Sequence, residues 1–136
     1  MNILLVNHYA GSPRHGMEYR PYYLAREWVR AGHRVRIVAA SFSHVRSRQP
    51  ELPPGGPSAF DETIDGIGYR WLRTPAYRGN GVGRVLNMLR FLTRLWRGSK
   101  DLAMAFRPDV VIASSTYPMD IWVARRLARK IAGVLA

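Results

Sequence analysis

The sequence predicts an open α/β sheet, mostly parallel, with helices on both faces, and three observations carry that prediction. Short unbroken apolar runs at residues 3–6 and 110–113 suit strands buried on both faces. Helical apolar spacing recurs at residues 18–31, 82–106 and 120–132. Strand-like and helix-like segments alternate, which is the pattern of βαβ crossovers in a parallel sheet.

Residues 3–6 open the first strand, and a loop over 7–17 follows, marked by Gly11, Ser12, Pro13 and Gly16. The helix at 18–31 places Tyr22, Leu24, Ala25, Trp28 and Val29 at helical spacing, and Gly32 is its natural C-terminal cap. Residues 33–40 are β-branched and complete a βαβ unit. Residues 41–59 are polar and turn-rich, with Pro50, Pro53, Pro54 and Pro57, and predict a mobile excursion. Asp65-Gly66 between the β-prone runs 62–64 and 67–72 signals a hairpin, closed by Thr74-Pro75. Gly79, Gly81 and Gly83 form a flexible lead into the helix at 82–106, where Gly98-Ser99 is a candidate kink or division. Pro108-Asp109 stops that helix before the strand at 110–113. The loop 114–118 and the helix 120–132 follow. A crossover helix exists to feed another parallel strand, and none is evident after 132. The pattern therefore predicts an interrupted sheet and a chain that is part of a larger protein.

A chain of 136 residues, 47% of them hydrophobic, is the size of one folded domain. It has no cysteine, which removes disulfides, thiolate metal sites and a cysteine nucleophile. The start, Met1-Asn2-Ile3, lacks the basic n-region of a signal peptide, and no apolar run reaches the roughly 18 residues of a membrane span. A soluble or peripheral protein is expected. The net charge is +12, and Lys100 and Lys130 are the only lysines among 21 basic residues. Such charge suits anionic partners. It is equally what a GC-rich genome writes when it spells surface cations as arginine.

Ligands of open α/β sheets bind beyond the carboxyl ends of the strands. Two segments fall there, residues 8–20 and 114–120. In the first, Gly16 allows close backbone approach, the following helix offers free N–H groups, and Arg14 and Arg20 add charge. The segment has no G-x-G-x-x-G, and no acidic residue closes the second strand, so it is not a dinucleotide fingerprint. A plain structural loop is the competing reading. No P-loop and no G-x-S-x-G elbow occur. The histidines are too scattered for a metal site, and His33 reads as structural. His8 and His15 lie in the candidate loop and are the candidates for a catalytic base. Ser114, Ser115 and Thr116 suit sugar hydroxyls or simply the loop's own backbone.

On the helix at 82–106, Val82, Val85, Leu86, Leu89, Leu92 and Trp96 share one face at 100° per residue. Met88, Phe91 and Leu95 continue it round the side, with Arg90, Arg94 and Arg97 opposite. That apolar arc is wider than packing on one sheet needs. Met88, Arg90, Phe91, Arg94, Leu95 and Arg97 are therefore candidates for docking on an anionic membrane. An ordinary core helix with a solvated basic face is the alternative.

Several pieces together resemble the N-terminal domain of family 4 glycosyltransferases, especially those of bacterial surface polysaccharides. They are Asn-Ile-Leu-Leu-Val-Asn-His-Tyr at 2–9, His15-Gly16-Met17-Glu18-Tyr19-Arg20, Tyr23-Leu24-Ala25-Arg26-Glu27 through Ala31-Gly32-His33, and Pro108-Asp109-Val110-Val111-Ile112-Ala113-Ser114-Ser115. The resemblance runs the length of the chain. It implies a GT-B architecture, two Rossmann-like domains facing across a cleft. Residues 1–136 would be the acceptor-side domain, without the C-terminal domain that holds the nucleotide sugar through a Glu-x7-Glu motif. Gly16 and Arg20 would contact the donor phosphates, although Gly16-Met17 stands where the family usually has Gly-Gly. His8, Tyr9, Tyr19, Ser114, Ser115, Thr116 and Tyr117 would line the acceptor wall. The implied reaction is retaining transfer from a nucleotide-sugar donor to a lipid-diphosphate-linked acceptor, at the cytoplasmic face of an anionic membrane. It implies no cofactor, no metal and no nucleic acid, and the fragment alone would not turn over. Two rivals stay open, a basic α/β module for nucleic acid and a phosphosugar-binding module.

Overall fold

The computed structural model describes residues 1–131 and 134–136. Its elements are β1 (Asn2–Val6), α1 (Arg20–Arg30), β2 (Arg34–Ala40), β3 (Ala59–Ile64), β4 (Ile67–Leu72), α2 (Val82–Phe106), β5 (Val110–Ala113), α3 (Asp120–Ile131) and β6 (Val134–Leu135). The strands form one sheet in the order β3-β4-β2-β1-β5-β6. Only the β3–β4 pair is antiparallel. The sheet alternates its side chains between two cores. Ile3, Leu5, Val35, Ile37, Tyr69 and Trp71 bury against Tyr22 and Ala25 of α1. Leu4, Val6, Val38, Leu72 and Val111 bury against α2 and α3. Helices thus cover both faces, and the predicted α/β class is the one observed.

Local chemistry explains most boundaries. Helix α1 begins at Arg20 and not at 18, because Glu18 is committed to the loop: its carbonyl accepts from Gly11 N at 2.9 Å. Pro21 then fits the first turn, where no intrahelical N–H is needed. The helix ends in a Schellman motif. Gly32, at φ 84°, donates to Val29 O at 3.0 Å, and His33 N donates to Trp28 O at 2.9 Å. His33 belongs to that cap, so β2 starts one residue later than expected. Asp65 (φ 50°) and Gly66 (φ 79°) both adopt the left-handed region, as a type I′ hairpin turn requires. The hairpin is longer than its signal, since β3 already pairs at Ala59 with Leu72.

Three expectations need correction. Residues 41–58 hold no regular element, but they are tied down. Arg48 N donates to His15 O at 3.0 Å, Gln49 bonds the backbone of Ser43 at both ends of its amide, and Ser43 and Arg46 are buried. Helix α2 is undivided at Gly98-Ser99, where the Ser99 hydroxyl donates to Trp96 O at 2.7 Å. A sixth strand does follow α3: β6 pairs parallel to β5 through Val110↔Val134 and Val111↔Leu135. Two residues are too few for periodicity to reveal a strand. Ala132, the expected last residue of the third helix, lies outside the described residues.

The face that α2 buries is also not the one its first half advertises. Asn87, Phe91, Leu95, Ser99, Leu102 and Phe106 are buried, whereas Val82, Val85, Leu86 and Leu89 are half or more exposed. The reason is length. The Phe91–Phe106 stripe runs on to the end of the helix, while the other stops near Trp96, so the first covers more of the sheet. Phe91 and Leu95 are core residues and cannot dock on a membrane. Arg90, Arg94 and Arg97 stand on the side the apolar arc leaves free, and there they line a cavity between α2 and β4.

Candidate functional site

Beside β1 the strand order reverses, with β2 on one side and β5 on the other, and a crevice opens beyond their carboxyl ends. Asn7, next after β1, donates through Nδ2 to Ser114 O at 2.8 Å, which ties the two loops together. His8 N donates to Ser115 Oγ at 3.0 Å, and Ser115 N donates to an Asp120 carboxylate oxygen at 3.0 Å. Ser114, Ser115 and Asp120 therefore build the loop frame. The backbone role weighed for these serines is the one the geometry gives them.

Above that frame lies a cleft of about 250 Å³, lined by Tyr9, Met17, Glu18, His44, Val45, Arg84 and Thr116. Arg84, in the first turn of α2, donates to the Tyr9 hydroxyl at 3.2 Å. His44 and the Tyr77 hydroxyl share a 2.6 Å hydrogen bond. The cleft thus gathers a carboxylate, an imidazole, a guanidinium and two hydroxyl-bearing side chains around one small volume. Such a set can hydrogen-bond a polyol and place one positive charge beside it.

Of the acceptor-wall residues expected from sequence, Tyr9 and Thr116 reach this cleft. Tyr117 is packed beneath it, and Tyr19 is exposed at the N-terminal end of α1. His8 is a correction. Its ring is fully buried, its Nδ1 and the Tyr117 hydroxyl lie 2.6 Å apart, and it packs on Phe91 and Tyr9. Burial pushes its pKa down to about 3, against a smaller opposing influence of Asn87. Its Nε2 and the Asn87 Oδ1 both lack a partner in bonding geometry. A neutral, enclosed imidazole positions the loop and offers no surface to a substrate.

His15 is also turned inward. Its Nδ1 bonds the Ser12 hydroxyl at 2.8 Å, its ring meets the edge of Trp71, and burial lowers its pKa. Gly16 does need its left-handed φ of 85°, but the space its missing side chain leaves is taken by Ser47. A Cβ there would meet Ser47 Oγ at 2.3 Å. The glycine serves packing of the loop on residues 41–58, and Arg20 alone of the expected phosphate contacts stands exposed, at the start of α1.

Glu18, His44 and Arg84 were not singled out by sequence. His44 sits in a turn-rich stretch and Arg84 in a helix whose arginines all look alike, so no local signal distinguishes them. Arg46 was missed as well. It is buried, its Nη2 donates to Ala40 O, its guanidinium lies 5.0 Å over Trp71, and its Nε and Nη1 have no partner. Burial lowers its pKa to about 10. Among the described residues no cluster of three or more His, Cys, Asp or Glu could hold a metal, and no helix is long and apolar enough to cross a membrane.

Comparison with known proteins agrees with this architecture. The C-terminal domain of a hydrogenase from Pyrococcus furiosus superposes with a TM-score of 0.62 at 16% identity, covering 99% of this chain and 88% of that one. At that identity the likeness is one of fold. No curated protein matches the sequence. The family model for the glycosyl transferase 4-like domain matches residues 15–135. With the doubly covered parallel sheet and the crevice at its strand reversal, that match places the chain in the glycosyl transferase 4-like family, a domain of the glycosyltransferase class.

Proposed function

We propose that the chain is the acceptor-side domain of a two-domain, retaining glycosyltransferase of bacterial surface-polysaccharide synthesis, of the O-antigen or capsule kind. A second domain would hold the nucleotide-sugar donor, and the sugar would pass to a lipid-diphosphate-linked acceptor at the cytoplasmic face of the membrane. The observation that carries this reading is the cleft of Tyr9, Glu18, His44, Arg84 and Thr116 at the strand reversal. The Glu18 carboxylate and the Tyr9 and Thr116 hydroxyls suit sugar hydroxyls, and Arg84 suits the acceptor's diphosphate. Arg20, with the free N–H groups at the start of α1, would support charge on the donor's leaving diphosphate.

The test is transfer by the whole gene product, assayed over a panel of nucleotide sugars with membrane lipid extract as acceptor. Arg84→Ala and Glu18→Gln should each lower kcat/KM for the acceptor about 10- to 100-fold, with the donor KM unchanged. Variants that transfer at the wild-type rate, or that change only the donor KM, would remove the cleft from the acceptor site.

A further inference from the structure

A second concavity differs from that cleft in chemistry. Between α2 and β4 lies a cavity of about 330 Å³ with an apolar floor of Val38, Leu72, Leu95 and Leu102. Its rim carries Arg70, Arg90, Arg94 and Arg97. Arg70 is held by a two-pronged pair with Asp61, both contacts at 2.7 Å. Arg94 is held by donation to Ser58 O at 2.9 Å, and burial, with Arg90 and Arg73 adding to it, disfavours its charge. The other carboxylate at the rim, Asp101, makes no ion pair among the described residues, and neither do Arg90, Arg94 and Arg97. Arg90, Arg94 and Arg97 thus converge on one concavity whose rim carries a single unpaired carboxylate, Asp101. Two of the four are fixed in place by neutral or paired contacts, leaving their remaining N–H groups free to meet a tetrahedral anion.

The same helix argues for where that anion comes from. Round the helix, Arg90 and Arg97 lie within about 40° of Leu86 and Arg94 within about 80°, so the cationic rim borders the Leu86 edge of the exposed stripe of Val82, Val85, Leu86 and Leu89. Exposed apolar side chains beside a cationic cavity match a molecule with a phosphate head and a hydrocarbon tail. Trp96 and Trp122, also exposed, extend the surface with Arg126 stacked 4.0 Å over Trp96, an arrangement suited to the headgroup layer.

We propose that the cavity between α2 and β4 binds the phosphate of an anionic phospholipid headgroup, with the Val82–Leu89 stripe resting in the acyl boundary. This rests on the membrane part of the function proposed above and makes it site-specific: one lipid is gripped, beyond diffuse attraction of a basic protein to a charged surface.

Vesicle co-sedimentation of the chain at 0.15 M salt tests it, comparing phosphatidylcholine alone with phosphatidylcholine containing phosphatidylglycerol. Three proteins are compared: the wild type, the rim variant Arg90→Gln/Arg94→Gln/Arg97→Gln, and a control of equal charge change, Arg26→Gln/Arg30→Gln/Arg48→Gln, on other faces. The expected result is binding only to the phosphatidylglycerol vesicles, at least tenfold weaker for the rim variant and within twofold of wild type for the control. Circular dichroism on both variants confirms that they fold, and the single variant Arg97→Gln, at an exposed position, is expected to show about a threefold loss by itself. Equal losses in rim and control variants overturn the headgroup site while leaving membrane attraction standing. No vesicle binding by the wild type overturns both. Rim-dependent binding of inorganic phosphate without vesicle binding overturns the lipid assignment in favour of a soluble phosphate ligand.

Discussion

His8 shows how far a residue's environment can move it from its apparent role. In the unfolded chain its pKa is the ordinary 6.5, and in the fold burial holds it at about 3. Between those values the unfolded chain binds a proton that the folded one refuses, so stability is full above pH 6.5 and falls as pH drops. The loss should reach about 2 kcal/mol by pH 5, read from urea unfolding. His15, its pKa lowered by burial too, adds in the same direction. A His8→Asn variant, whatever its stability at pH 7, should show a shallower decline; an equal slope would mean His8 is not the group titrating. Gly16 and Gly32 supply a second comparison. Both have positive φ, but a Cβ at Gly32 meets nothing within 4 Å whereas one at Gly16 meets Ser47. Gly32→Ala should cost about 1 kcal/mol, the left-handed penalty alone, and Gly16→Ala roughly 2–4 kcal/mol. Equal costs would mean that the loop simply shifts away from residue 47.

At the scale of elements, α2 carries two apolar stripes and the sheet selects one. Phe91→Ala should cost about 3–5 kcal/mol by cavity formation. Leu89→Ser, on the half-exposed stripe, should stay within about 0.5 kcal/mol of wild type. Thermal unfolding of the two variants checks the assignment, and a reversed order would put the helix on its other face. Other elements were legible because their signals are local. The Asp65-Gly66 turn, the Gly32 cap and the extents of α2 and β5 follow from residues a few positions apart. The short strand β6 was not, since a two-residue strand is defined by its partner. The start of α1 was misplaced because the Glu18 carbonyl answers to Gly11, a contact outside the helix.

Across the whole molecule, charge is the dominant feature. With a net +12 on 136 residues, self-repulsion opposes the compact state. Raising salt from 10 to 150 mM at pH 7 shortens the screening length from about 30 Å to about 8 Å and should raise Tm by roughly 3 °C. A fall in Tm would show that the ion pairs, such as Arg70–Asp61, outweigh the repulsion. The same charge is distributed unevenly in its consequences. Arg46 is enclosed beneath the loops, Arg84 faces the cleft, and Arg90, Arg94 and Arg97 converge on the α2–β4 cavity.

The order of the elements as far as α3, the covering of both sheet faces and the crevice beyond β1 and β5 were determined by the sequence alone. They depend on periodicity, turn chemistry and the buried apolar runs, all of which act over short stretches of chain. The membership of the site was decided only by the tertiary structure. Arg84 meets Tyr9 across 75 residues and His44 meets Tyr77 across 33. Periodicity fixes a side chain's direction about its own helix or strand, and says nothing of what another element brings to meet it. His8 was expected to meet a substrate and is enclosed, and Arg84, to which the sequence assigned no role, borders the cleft, because burial is a property of the assembled layers.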